Sequence, residues 1–282
     1  RLEFIDDYTV SEALVATVEQ WAKEQGMIGV HGPLGFTNLD HQAILVEGFE
    51  HLPSVASEYH HPYYLTHLER MGYEKEVDWL EFRLTIEDKV PEKEAKMAEM
   101  IKKRYGFQVR TYKTIKELMP YAPQFFTVLN NAFSELFGVV SFNDNMSQYY
   151  IRKYISLLNP KFVKVVFDKE DTLIGFVIGV PSLSRAMQKA KGNVWPFGAF
   201  YLMHALKHPK VIDLFLTAVE PKYQNQGLTA VLFIDLYQTC IDNGVKYFET
   251  TGMLEDNQKA IQNWKYFNHI QHKRKRCFIK HF

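Results

Sequence analysis

The sequence predicts an α/β protein with mixed sheets flanked by helices, and three observations carry that expectation. Apolar, β-branched runs alternate with segments of helical apolar spacing along most of the chain. Residues 213–242 read as a buried strand, a polar loop holding Pro221 and Gly227, and a helix. The order strand, helix, strand, helix, strand in residues 1–86 recurs from Ile212 onward, as in a tandem repeat whose first copy lacks its head.

Composition narrows the function classes. The 282 residues suffice for one large or two medium domains, and a 46% hydrophobic, 23% charged composition is that of a globular protein. Lys+Arg and Asp+Glu both number 33, so no global charge argues for nucleic acid or an anionic membrane. Cys240 and Cys277 are too few and too far apart for a disulfide framework or a metal cluster, which makes a reducing cytosol the expected location. No apolar run reaches about 18 residues. The start Arg1-Leu2-Glu3-Phe4 has neither a methionine nor signal-peptide features and falls inside a predicted strand, which reads as a fragment.

In order, residues 1–6 read as a strand and 10–26 as an amphipathic helix with Val10, Leu14, Val18, Trp21 and Ala22 on its apolar face. Residues 27–31 form a strand, followed by the rigid turn Gly32-Pro33-Leu34-Gly35-Phe36, which lacks the helix start of a phosphate loop. A long loop with a short strand at 43–49 leads to a helix at 62–71, closed by Gly72, and a strand at 73–86. His60, His61 and His67 mark that helix start rather than a metal site. Residues 87–104 are a connector helix, begun at Pro91. A strand at 107–113, helices within 114–137 and 149–158, and a hairpin of strands 161–168 and 172–180 follow. The stretch 181–209 holds Arg185, Lys189, Lys191, Trp195, Phe197, Phe200, Tyr201 and His204, a mixture suited to a lid over a cleft or to a helix on the sheet edge. Strand 213–219, helix 228–242, strand 246–250, a helix opened by Asn257 and a strand at 270–282 complete the chain. In the last of these, His272-Lys273-Arg274-Lys275-Arg276 would alternate between faces, as on a solvated edge strand.

The loop after strand 213–219 suits an anion, because the free N–H groups and the positive dipole end of a helix start converge there. Its residues are Val219-Glu220-Pro221, then Gln224-Asn225-Gln226-Gly227-Leu228-Thr229. This resembles the pyrophosphate-binding motif of the GNAT superfamily of acyl-CoA-dependent N-acyltransferases, with Thr229 in place of the usual small residue. Asn257, Ala260, Trp264 and Asn268 resemble the second motif of that family in order and spacing. The resemblance implies a tandem GNAT-like fold: a degenerate, incomplete domain at 1–87, a connector helix at 88–106 and an acyl-CoA-binding domain at 107–282. At the place of the motif, the first copy has Asp6-Asp7-Tyr8-Thr9-Val10-Ser11, whose carboxylates would repel a pyrophosphate.

The same resemblance implies an N-acyltransferase with acetyl-CoA as the default donor and a small-molecule or peptide amine as acceptor, acting by direct attack in a ternary complex. Gln224, Asn225, Gln226, Gly227, Leu228, Thr229 and Val219 would grip the donor, with Asn257 and Trp264 on its pantetheine side. Backbone N–H groups between Thr217 and Val219 would polarise the thioester carbonyl. The usual general acid of the family is a tyrosine where this chain has Trp264, whose indole does not ionise usefully. Tyr223 or water is left to protonate the thiolate, and Glu249, Asp213 or His204 to accept the amine proton. Two other readings remain: a non-catalytic acyl-CoA-binding protein, and a transferase using aminoacyl-tRNA.

Overall fold

The computed structural model describes residues 2–54, 56–155 and 158–282. Among these, the strands are β1 (Gly29–Gly32), β2 (Ile44–Glu47), β3 (Glu74–Thr85), β4 (Gln108–Arg110), β5 (Val163–Phe167), β6 (Leu173–Pro181), β7 (Val211–Val219), β8 (Tyr247–Thr250), β9 (Met253–Leu254) and β10 (His269–His281). The helices are α1 (Tyr8–Glu24), α2 (Tyr63–Arg70), α3 (Glu92–Tyr105), α4 (Ile115–Leu118), α5 (Ala122–Phe133), α6 (Asp144–Tyr154), α7 (Ser184–Lys189), α8 (Gly198–Lys207), α9 (Leu228–Asp242) and α10 (Gln258–Ile261). All ten strands join one sheet in the order β1-β10-β3-β8-β7-β6-β5-β4, with β2 also beside β10 and β9 beside β3. β7 and β8 run parallel. The β5–β6 and β6–β7 pairs are antiparallel.

Local sequence accounts for the elements that frame the site. α9 starts at Gly227, whose φ of +78° suits a residue without a β-carbon. It buries Leu228, Val231, Leu232, Leu236 and Cys240 against the sheet, a helical spacing. α3 ends in the left-handed Gly106, and its Ile101 packs into the same core as α9.

Two N-terminal expectations are corrected. Residues 2–6 form no strand: the Phe4 ring stacks on Tyr64 at 4.3 Å and its N–H donates to the Tyr64 hydroxyl, which holds the segment against α2 rather than in the sheet. Arg1 lies outside the described residues. α1 is capped by the Asp7 carboxylate, but it buries Ser11, Val15 and Ala22, while the apolar stripe Val10, Leu14, Val18 and Trp21 is exposed. The hydroxyl of Ser11 reaches Nδ1 of His67, and this polar contact fixes which side of the helix faces inward.

The largest departure from expectation is at β10, which is interior rather than an edge. β3 lies along one side of it, and β1 and β2 lie along the other. The basic residues alternate between faces as the strand period requires, but both faces are covered. Arg274 and Arg276 meet the buried Asp78 at 2.9 and 2.8 Å. Lys273 meets the buried Glu81 at 2.7 Å. Carboxylates on β3, far away in sequence, neutralise a run that looks solvated when read alone. In the same way β3, the last strand of residues 1–86, pairs with β8, and β10, the last strand of the chain, lies among β1, β2 and β3.

Candidate active site

The site is built where β7 and β8 part. They pair only from Val211 to Leu214, against Tyr247 to Thr250. Beyond Leu214, β7 continues alone beside β6 as far as Val219. The N–H of Glu220 donates to the Ile174 carbonyl on the β6 side at 2.9 Å. By strand alternation, the N–H groups of Val219 and Thr217 therefore point the opposite way, into the space that β8 has left.

Immediately after β7, the chain makes a 3₁₀ turn at Pro221–Tyr223 and enters α9 through Gln224–Gly227. Asn225 (φ +66°) and Gly227 are both left-handed, and together they turn successive amides toward one side. The N–H groups of Gly227, Leu228, Thr229 and Ala230 have no hydrogen-bond acceptor among the described residues. The Gln224 side chain donates to the Val219 carbonyl and Gln226 to that of Lys222, so both amides brace the loop. On the far side of Gly227 stands Ile101 of α3, 2.5 Å from where a β-carbon would lie. α3 thus backs the glycine loop.

The proton-handling candidates are distributed unevenly. The Tyr223 hydroxyl donates to Asp168 at 2.7 Å, and this bond, more than burial, pushes its pKa up. Tyr223 ties the loop to the β5–β6 hairpin. Asn257 caps α10 by accepting from the Ala260 N–H. Trp264 is buried in the core, its ring edge-on to Phe233 and its N–H directed at the Met253 sulfur. His204 lies exposed on α8.

Glu249 is buried beside Asp213, its neighbour in register on β7. One of its oxygens takes Arg83 Nε at 2.5 Å, and the other faces His272 Nε2 at 2.7 Å. Burial pushes the Glu249 pKa up, but His272 and Arg83 outweigh it and hold the carboxyl below its usual range. His272 Nδ1 lies 3.0 Å from the Glu81 carbonyl, so both ring nitrogens face acceptors. Reading β10 as a solvated edge had hidden His272; its place on an inner strand beside β3 brings it to Glu249. His31, Glu76 and Cys277 also gather, on β1, β3 and β10, with the imidazole and the thiol both directed at the Glu76 carboxylate.

Across the sheet from α9, an apolar cavity of about 90 Å³ opens between α5, α6 and strands β6 and β7. Phe125, Leu129, Tyr154, Phe176, Phe215 and Leu216 line it. The last two directly precede Thr217 on β7, so the cavity adjoins the parted strands.

The same architecture recurs in a GCN5-related N-acetyltransferase from Sphaerobacter thermophilus, with a TM-score of 0.52 at 10% identity over 96% of this chain and 68% of that one. A tandem GNAT protein from the clavulanic acid biosynthesis pathway matches with a TM-score of 0.51 at 13% identity, over 96% of this chain and 70% of that one. The chain has the GNAT fold. By sequence, it is 24% identical over 263 residues to protein YghO of Escherichia coli K12 and 23% identical over 263 residues to a bacterial ceramide synthase of Caulobacter vibrioides. These matches cover 91% and 90% of this chain but 66% and 67% of the relatives, so the chain spans about two thirds of their length. No family model matches it. The loop at 219–229 follows directly on the stretch of β7 that has parted from β8.

Proposed function

We propose that this chain is an acyl-CoA-dependent N-acyltransferase. The observation that carries the proposal is the row of unpaired N–H groups at 227–230, beside a strand whose own N–H groups face the gap left by β8. Those amides bind the CoA pyrophosphate, and the dipole of α9 adds to the attraction. The thioester carbonyl then lies against the N–H groups of Thr217 and Val219, which stabilise the oxyanion. The amine nitrogen attacks the carbonyl carbon, the C–S bond breaks, and the amine proton passes to the Glu249–His272 pair. Solvent protonates the departing thiolate, which is a fair leaving group at a thiol pKa of about 8.5.

The apolar cavity supports a substrate with a hydrocarbon chain. The similarity to a protein named a ceramide synthase supports the same substrate class, since a ceramide is an amide of a long-chain amino alcohol. Either the donor or the acceptor supplies the chain. The division into a degenerate domain at 1–87, a connector at 88–106 and a CoA-binding domain at 107–282 belongs to this proposal, as does action in the cytoplasm.

Calorimetric titration of acetyl-CoA and of palmitoyl-CoA, into the protein and into Gly227→Glu, tests the donor site. Micromolar binding abolished by the variant supports it, and no binding of either donor refutes it. Thiol release with a long-chain amino alcohol but not with a short amine then identifies the acceptor. Binding without thiol release from any amine would support the non-catalytic reading.

A further inference from the structure

We propose that the α7–α8 segment docks the protein on an anionic lipid bilayer surface. Residues 191–197, between the two helices, are all exposed, so this connection protrudes. At its tip, Trp195 is 85% exposed and Phe197 73%, and Phe200 and Met203 continue the apolar surface along one face of α8 at 64% and 55%. Large side chains left in water at this density mark a contact surface rather than ordinary surface scatter.

Charge identifies the partner. Between Pro181 and Ile212 the sequence has five basic residues, Arg185, Lys189, Lys191, Lys207 and Lys210, and no Asp or Glu. Arg185, Lys189, Lys191 and Lys207 are exposed around the aromatic tip. Lysines attract anionic headgroups, while Trp and Phe enter the boundary between headgroups and acyl chains. A protruding tip suits insertion into a fluid interface; a protein partner would need a matching pocket. This inference stands on the exposed segment alone and does not depend on the acyl-transfer reading.

The test is co-sedimentation with vesicles of phosphatidylglycerol and phosphatidylcholine, compared with phosphatidylcholine alone. The protein is compared with Trp195→Ala/Phe197→Ala/Phe200→Ala and with Lys189→Glu/Lys191→Glu. The substituted side chains are exposed, so circular dichroism should show both variants folded. Binding to the anionic vesicles is expected, weakened at least about 30-fold by the double charge reversal, at roughly fivefold for each charge lost. The aromatic variant should lose binding that high salt alone does not remove. No binding of the parent protein to anionic vesicles, or equal binding by parent and variants, overturns the proposal. Self-association abolished by the aromatic variant, in a protein that ignores vesicles, overturns it in favour of a protein interface.

Discussion

Gly227 separates two demands on the glycine loop, and Gly227→Ala measures both. A β-carbon at φ +78° costs about 1–2 kcal/mol in the left-handed region. It would also stand 2.5 Å from Ile101 Cδ1, closer than β-carbons approach. That atom is the end of a side chain and can turn away, at about 0.5–1.5 kcal/mol for an off-rotamer angle. The lower chain entropy of unfolded alanine returns about 0.4–1 kcal/mol. The net expectation is a loss of about 1–2 kcal/mol in urea unfolding followed by tryptophan fluorescence. Ile101→Ala removes the clash but not the backbone strain, so the double variant should recover about 1 kcal/mol relative to additivity. A Gly227→Ala protein as stable as the parent, or a coupling of zero, would refute the account of α3 as the backing of the loop.

Three other substitutions test the buried charges and the core. Asp78→Asn removes the buried carboxylate that Arg274 and Arg276 share, although Arg274 keeps Glu47 at 3.1 Å, and should cost about 3 kcal/mol by chemical denaturation. Burial pushes the Asp78 pKa up, but the two arginines hold it below the usual range, so its stabilisation is present above the unfolded carboxylate pKa and is lost as pH falls through the folded one. The parent should therefore unfold cooperatively in acid, with Asp78→Asn flatter across that window. Lys275 is buried with its pKa lowered by desolvation, so Lys275→Met, which removes the buried ammonium, should raise stability at neutral pH. Between its folded and unfolded pKa, the parent should gain stability as pH rises, and a melting temperature that is lower in the variant at pH 7 would refute this. Trp264→Tyr, which restores the residue usual in GNAT enzymes, should lower stability by about 1–3 kcal/mol and leave thiol release no faster, because the side chain lies in the core.

What was legible in the sequence is what local chemistry specifies. α9 was expected at 228–242 and runs from Leu228 to Asp242, because a left-handed glycine and an apolar helical face determine it from within. The strand–loop–helix around Gly227 is legible for the same reason. Residues whose setting depends on distant partners were not legible. The charges of β10 are the plainest case, since nothing near Lys273 announces Glu81, nor anything near Arg276 the Asp78 that holds it. The stripe Val10, Leu14, Val18 and Trp21 has good helical spacing, but periodicity does not say which side of a helix meets the sheet. Tyr223 likewise gave no sign that Asp168 would engage its hydroxyl.

The polar contacts at Glu249 show why the candidate site cannot be reduced to the second half of the chain. Glu249 belongs to β8, Arg83 to β3 and His272 to β10, so three adjacent strands contribute one side chain each. Of these, β3 comes from residues 1–86, and without it β10 has no partner that carries it to β8. A protein lacking residues 1–86 would lose Arg83 and the Glu81 carbonyl that orients His272. The glycine loop, by contrast, draws on β7, α9 and the helix α3 behind it. Glu249, His272 and the glycine loop thus all come from the C-terminal part of the chain, while residues 1–86 supply the Arg83 and Glu81 contacts that hold Glu249 and His272 in place. His272→Gln isolates the Glu249–His272 pair: donor binding should persist, while turnover falls and its acid limb shifts, as Glu249 loses the nearby positive charge that lowers its pKa. An unchanged pH profile with full turnover would remove the pair from the chemistry and leave it as a strand-to-strand tie.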